Sequence, residues 1–217
     1  MAGSSGQQVS YLPSIWCVTT MRVFLERPCL YYPPCAATVD SYLHLGLTRC
    51  VSRYRIELGA GSGLVGLAVA RGCSTDSTIY ITDQECMLPL MKDNIDINGL
   101  SSNVKAIMLD WGSPLPDCIS HSPTVVLAAD CVYFEPAFPL LISTLQQLLS
   151  PDSICYFCFK RRRRADLRFM KQAKKIFDVV EIRGYMDRDN FARENLFLYS
   201  IRPRSAKDNT ALPPDPC

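Results

Sequence analysis

Histidine is nearly missing from this chain: His44 and His121 are the only two, and neither lies at a motif. A Ser-His-Asp hydrolase set is therefore excluded, and both are read as structural or exposed. Long apolar runs are missing too. None reaches the ~18 residues of a membrane-spanning helix, so no membrane partner is expected. Met1–Ser10 carries no basic n-region, and a secretory leader is not expected. Net charge is only +2, which removes any global electrostatic case for nucleic acid. There are no internal repeats, and no break within 55–202 marks a second domain. Cysteine, by contrast, is plentiful at 11 residues, an odd number, with Cys131, Cys155 and Cys158 inside apolar runs. Thiols placed so act as small hydrophobes and fit a reducing compartment; a cytoplasmic location is expected. Cys155-Tyr-Phe-Cys158 has CxxC spacing but sits in a strand-like run, where alternation sends the two thiols to opposite faces. No second CxxC or nearby histidine completes a zinc set, so no metal site is expected.

What remains is a balanced composition, 48% hydrophobic and 20% charged over 217 residues, typical of one folded domain. Residues 1–54 read as an irregular N-terminal segment partly packed on the core, with strand character at Val18–Leu25 and a helix over Ala36–Leu47 after Pro33-Pro34. From residue 55 the pattern is regular. Strands are predicted at Tyr54–Leu58, Thr78–Thr82, Val104–Leu109, Val125–Ala129, Ile154–Phe159, Val179–Ile182 and Leu196–Ile201. Helices are predicted at Leu64–Arg71, Met87–Asn98, Ala137–Leu149 and Ala165–Phe177. Such alternation predicts an α/β fold: a Rossmann-like, doubly wound, seven-stranded sheet, mostly parallel and covered on both faces. The last two strands are joined by a loop with no helix, Arg183–Asn195, which permits an antiparallel edge. The domain runs over 55–202, and a polar tail over 203–217 is expected to be disordered.

The strongest local signal is Glu57-Leu-Gly59-Ala-Gly61-Ser-Gly63, between a strand and a helix. Glycines there let the backbone turn tightly and approach a ligand. Asp83 ends the next strand, where a carboxylate accepts from ribose hydroxyls. Together they mark a nucleoside-type ligand. The spacing is G-x-G-x-G, and Glu57 and Asp130 are acidic strand ends. These carboxylates suit the sulfonium of S-adenosylmethionine better than a pyrophosphate, which would need a free helix N-terminus. Trp111 follows the third strand beside Asp110 and is placed to lie against a flat base. Ala128 and Ala129 leave room for a ligand; Asp130 and Tyr133 are polar groups at the same edge. Each has a purely structural alternative: a tight turn, a solvated strand end, a core ring, a helix cap.

At these residues the chain resembles the seven-β-strand protein-lysine methyltransferases, and within them the fungal enzymes that modify translation elongation factor 1-alpha. The resemblance is carried by IELGAGSGLVGLAVA (56–70), YITDQE (80–85), LDWG (109–112), LAADCVYFEPAFPLLISTLQQLL (127–149) and YFCFKRRRRADLRFMKQAKKIFDVVEI (156–182). It implies that Gly59, Ala60 and Gly61 line the methionine part of S-adenosylmethionine, that Asp83 holds its ribose, that Trp111 flanks the adenine, and that Ala129 contacts the cofactor. It implies Asp130 and Tyr133 as the catalytic pair shaping the channel for a substrate lysine. The partner implied is a protein, elongation factor 1-alpha, met by a monomer. One departure stands out: the family's usual tryptophan before the glycine loop is replaced by Leu30-Tyr-Tyr-Pro-Pro-Cys-Ala-Ala37, with Trp16 well upstream. Two other readings stay open. A nucleic-acid methyltransferase draws on the basic block Lys160–Arg164; a non-catalytic cofactor-fold scaffold draws on the missing tryptophan.

Overall fold

The structure, a computed structural model, describes residues 54–72, 77–119, 121–184 and 188–204. The expectations for Val18–Leu25, Ala36–Leu47 and the 30–37 stretch, and for the tail past 204, lie outside the described residues.

Seven strands form one sheet: β1 (Arg55–Leu58), β2 (Ile79–Asp83), β3 (Val104–Met108), β4 (Val125–Ala129), β5 (Ile154–Lys160), β6 (Phe177–Glu181) and β7 (Leu196–Pro203). Their order is β3-β2-β1-β4-β5-β7-β6. The first five pair in parallel, with Ile56 between Tyr80 and Val126 and Ala128 beside Phe157. β7 is antiparallel to both β5 and β6. The antiparallel strand thus sits one place in from an edge formed by β6. β1 and the apolar β4 are central, and all four β1 residues are buried, as a strand covered on both faces requires.

Side-chain alternation splits the core into two layers. On one face, α3 (Phe138–Leu148) and α4 (Arg164–Ile176) bring Phe138, Leu141, Leu145 and Phe169 against Ile56, Leu58, Val126 and Phe157. Phe157 and Phe169 stack with centroids 5.0 Å apart. On the other face, α1 (Leu64–Gly72) and α2 (Leu88–Ile97) cover Ile79, Ile81, Val125 and Leu127 with Val65, Leu67, Met91 and Ile95. Cys155 lies in the first layer and Cys158 in the second, both buried, as strand alternation demands.

The segment between β6 and β7 departs from expectation. It holds a short helix, α5 (Arg188–Arg193), where a plain loop was predicted. Six residues are too few to show a helical period in the sequence. Phe191 packs it onto the second core layer, and Asn195 at φ +61° turns the chain into β7, a conformation asparagine tolerates.

Chain order reverses beside β1. β2 and β3 extend the sheet one way, β4 and β5 the other. In open α/β sheets this switch point opens a crevice beyond the carboxyl ends of the strands. The candidate site residues lie at those ends, Asp83 and Ala129 as the last residues of β2 and β4 and the others on the loops that follow the strands.

Candidate active site

The glycine loop leaves β1 at Leu58. Gly59, Gly61 and Gly63 have φ of +58°, +58° and +84°, a region that costs an L-residue ~1–2 kcal/mol. Ala60 N–H donates to the Thr82 carbonyl at 2.9 Å, and Gly63 N–H to that of Ala60 at 2.8 Å. A Cβ on Gly59 would stand 2.8 Å from Trp111 Cζ2 and 3.0 Å from Cys131 Sγ. A Cβ on Gly61 would meet nothing within 4 Å. Gly59 is therefore glycine for packing, whereas Gly61 borders open space.

Asp83 is tied to this loop. Gly61 N–H donates to its Oδ2 and Gln84 N–H to its Oδ1, each at 2.7 Å. Burial pushes its carboxyl above the ordinary aspartate value, against the pull of these two amides, and nearby Asp110 adds to the rise. Each oxygen retains a further lone pair for a ligand hydroxyl. Trp111 is partly buried against the first core layer, and the next residue, Gly112, donates its N–H to Thr144 Oγ1 on α3 at 2.8 Å.

Glu57 does not serve as expected. Only 2% exposed, its Oε2 accepts the Gly66 N–H at 2.7 Å. Burial pushes the carboxyl up to about 8, so near neutral pH it is mainly the uncharged acid rather than a countercharge for a sulfonium. Strand alternation turns it beneath α1, and Gly66 makes the room: a Cβ there would lie 2.7 Å from Oε2. Glu57 also occupies the helix N–H groups that a pyrophosphate would seek. The site thus fits S-adenosylmethionine by an open cradle at Gly61, a carboxylate lip at Asp83 and a flat ring at Trp111, without an anion-binding helix end.

Across the crevice, β4 ends at half-buried Ala129. Asp130 takes φ +57°, and its N–H donates to the Cys158 carbonyl at 2.7 Å. Its carboxylate meets Arg162 fork to fork, Nη1 to Oδ1 at 2.8 Å and Nη2 to Oδ2 at 2.7 Å. The two side chains are 37% and 46% exposed. Aspartate, like asparagine, adopts this conformation more readily than most residues, and an ion pair that open contributes on the order of 0.2–1 kcal/mol. The fold therefore gains little stability from the arrangement, which leaves the carboxylate accessible at the crevice. Tyr133 is 63% exposed, and its carbonyl accepts from the Arg163 guanidinium.

The basic block is largely engaged within the fold. Asp166, only 1% exposed, accepts from Arg162 N–H at 2.8 Å and Arg163 N–H at 3.0 Å, capping α4. Arg161 lies 4.9 Å over the Phe197 ring. Arg168 pairs with Glu135.

Of the residues read from the sequence, the structure joins Gly59 to Trp111, Gly61 to Asp83, and Asp130 to the loop edge through its neighbour Cys131. That thiol, buried and with its pKa pushed well up by burial, donates to the Leu58 carbonyl at 3.3 Å. Sequence reasoning missed Cys131 as the seam between the two halves, Asn94, whose amide donates to the Ser62 carbonyl at 2.9 Å, and Arg162. Only Arg162 carried a signal, as part of a basic run.

Comparison with known proteins shows the family and the fold. The model of a family described as lysine methyltransferase matches residues 34–176, beginning upstream of the boundary drawn at residue 55. Protein-lysine N-methyltransferase EFM6 of Saccharomyces cerevisiae is 38% identical over 161 residues, 67% of this chain and 65% of that protein. Protein N-lysine methyltransferase METTL21A of Danio rerio is 32% identical over 180 residues, 82% of this chain and 78% of that protein. Among solved structures, MtNAS in complex with S-adenosylmethionine has a TM-score of 0.59 at 14% identity, covering 88% of this chain and 68% of that one; at that identity it supports the fold alone. Among the described residues no helix is long and apolar enough to cross a membrane. With the family model spanning most of the described core and two relatives above 30% identity, the chain belongs to the lysine methyltransferase family, whose cofactor is S-adenosylmethionine.

Proposed function

We propose that this chain methylates a lysine ε-amine of a protein, translation elongation factor 1-alpha, with Asp130 and Tyr133 as the residues that receive the lysine. The observation that carries the reading is Asp130: a left-handed, half-exposed carboxylate at the end of a central strand, beside the glycine loop. The choice of substrate is supported by the likeness to EEF1A lysine methyltransferase 3 of Mus musculus, 38% identical over 109 residues. That match spans 49% of this chain and 45% of the mouse protein.

When bound, S-adenosylmethionine supplies an activated methyl group on a sulfonium. The residues of the chain do the rest. Gly59, Ala60 and Gly61 line its methionine part, Asp83 takes the ribose hydroxyls, Trp111 flanks the adenine, and Ala129 touches the cofactor beside Asp130. A lysine normally titrates near ~10.4 and must lose its proton to expose a lone pair. Asp130 accepts a hydrogen bond from the amine and aims it, and the Tyr133 ring shields it from water. Alignment of this kind supplies most of the acceleration in a direct transfer. The enzyme is expected to act as a cytoplasmic monomer.

A nucleic-acid substrate is disfavoured by one observation: Arg161, Arg162 and Arg163 are spent on Phe197, Asp130 and Tyr133, leaving little of the basic run for phosphates. The test is mass spectrometry of elongation factor 1-alpha after incubation with the chain and cofactor. A gain of 14 Da steps on one lysine (one methyl group each, on the order of the mass of CH2) is expected. An unmodified factor, with label instead on nuclease-sensitive material, would overturn the reading.

A further inference from the structure

Arg162 reaches Asp130 from across the sheet edge. Its backbone N–H is held by the buried Asp166 carboxylate at 2.8 Å, and the neighbouring Arg163 N–H by the same oxygen at 3.0 Å. The loop after β5 is thereby fixed, and the guanidinium fork meets both Asp130 oxygens at 2.7 and 2.8 Å. Each carboxylate oxygen keeps a lone pair free of the fork, and both side chains remain accessible. The pair is therefore open to a third group.

A bare carboxylate at this place would work against the reaction. It would attract a lysine but stabilise its ammonium form, which has no lone pair. The other groups around Asp130 do not cancel its charge. Cys131 beside it is a buried thiol, Asp83 from β2 is a second carboxylate felt at that thiol, Tyr133 is uncharged, and Glu135 is already matched by Arg168. Arg163 spends its guanidinium on the Tyr133 carbonyl and Asp166. Arg162 is the cation in register with the Asp130 carboxylate.

We infer that Arg162 is a positioning residue of methyl transfer: it aligns the Asp130 carboxylate and balances its charge, so that the target amine is hydrogen-bonded without a net negative field to keep it protonated. The amine lone pair then forms the new N–C bond as the C–S bond breaks onto sulfur, leaving a thioether, and the methylated ammonium returns its extra proton to water. This rests on the reading of Asp130 as the lysine-receiving residue.

The test compares wild type, Arg162→Gln, Arg162→Lys and Arg162→Gln/Asp130→Asn across pH 7 to 11, a range that passes the ordinary titration of a lysine amine near ~10.4. The substrate is elongation factor 1-alpha or, if wild type leaves it unmodified, the protein that wild type labels in a lysate. The first alternative failing alone rejects the substrate, not Arg162. Cofactor binding by calorimetry and the melting temperature are measured alongside, and both are expected to stay near wild type. Removing the balancing charge should shift the amine's titration up by about one unit, a tenfold fall in kcat at pH 7. Arg162→Gln is thus expected to lose about tenfold in kcat at neutral pH, with little change in KM, and to close to within about threefold of wild type by pH 11, where the wild-type amine has lost its proton. Arg162→Lys keeps the charge but not the fork; it should lose rate evenly at every pH. The double variant should return to the wild-type pH profile at a lower rate. An Arg162→Gln profile parallel to wild type, a rate equal to wild type, or lost cofactor binding would overturn the inference. So would a wild type that labels nothing.

Discussion

The two walls of the crevice are held together in opposite ways. The wall made by β1 and β2 is fastened by backbone amides to one buried and one half-buried carboxyl over short reaches: Gly66 to Glu57, Gly61 to Asp83. The wall made by β4 and β5 is fastened by guanidinium groups on exposed acceptors more than thirty residues away: Arg162 on Asp130, Arg168 on Glu135. The first kind of fastening favours glycine at both amides, at Gly61 through its positive φ and at Gly66 through the close approach of Glu57 and Ile81. It suits a ligand that never changes. The second is made of long side chains at the surface, each replaceable at little cost in stability. It suits a partner whose shape must be matched.

The sharpest way to break this contrast is on the exposed wall. Asp130→Ala should cut turnover by ~10²-fold or more, since rate depends steeply on alignment, while melting temperature and cofactor affinity stay close to wild type. Turnover on a verified protein substrate is the measurement, and a near-normal rate would remove Asp130 from the lysine site.

On the buried wall the effect should appear in stability, with a definite pH dependence. Burial raises Glu57 from 4.5 to about 8 in the folded chain. Between those values the unfolded chain has lost the proton and the folded chain keeps it, so raising pH favours unfolding. Below 4.5 both states hold the proton and the penalty vanishes. Glu57→Gln keeps an oxygen for Gly66 N–H and cannot ionise. It should match wild type near pH 4.5, become progressively more stable up to pH 8, and hold a constant advantage above. The gap at pH 8 should be on the order of a few kcal/mol, read by calorimetry at a series of pH values. A gap independent of pH would show that Glu57 is ionised in the fold.

The smallest effect concerns the lip. Asp83→Ala removes the hydrogen-bond acceptor proposed for the ribose and should weaken S-adenosylmethionine by about 1–3 kcal/mol. Asp83→Asn, which keeps one acceptor oxygen, should lose less. Equal binding by both variants and wild type in a calorimetric titration would place the nucleoside elsewhere.

Much of this architecture is legible in the linear chain. Apolar β4, the glycines after β1 and the alternating strands and helices follow from local rules of burial, period and backbone freedom, and they place Gly59–Gly63, Asp83, Trp111 and Asp130 at strand ends without any coordinates. The opposite faces of Cys155 and Cys158 follow from alternation in the same way. Tertiary structure alone decided where charges are spent. Glu57 reads as a free acid beside the loop, yet alternation and the gap at Gly66 send it under α1, where burial holds its proton. Lys160–Arg164 reads as one basic surface, yet Asp166 and the strand ends at Asp130 and Tyr133 divide it among separate acceptors. The reason is physical: strand and turn preferences act over a few residues along the chain, whereas desolvation and ion pairing depend on what the fold brings close from far away.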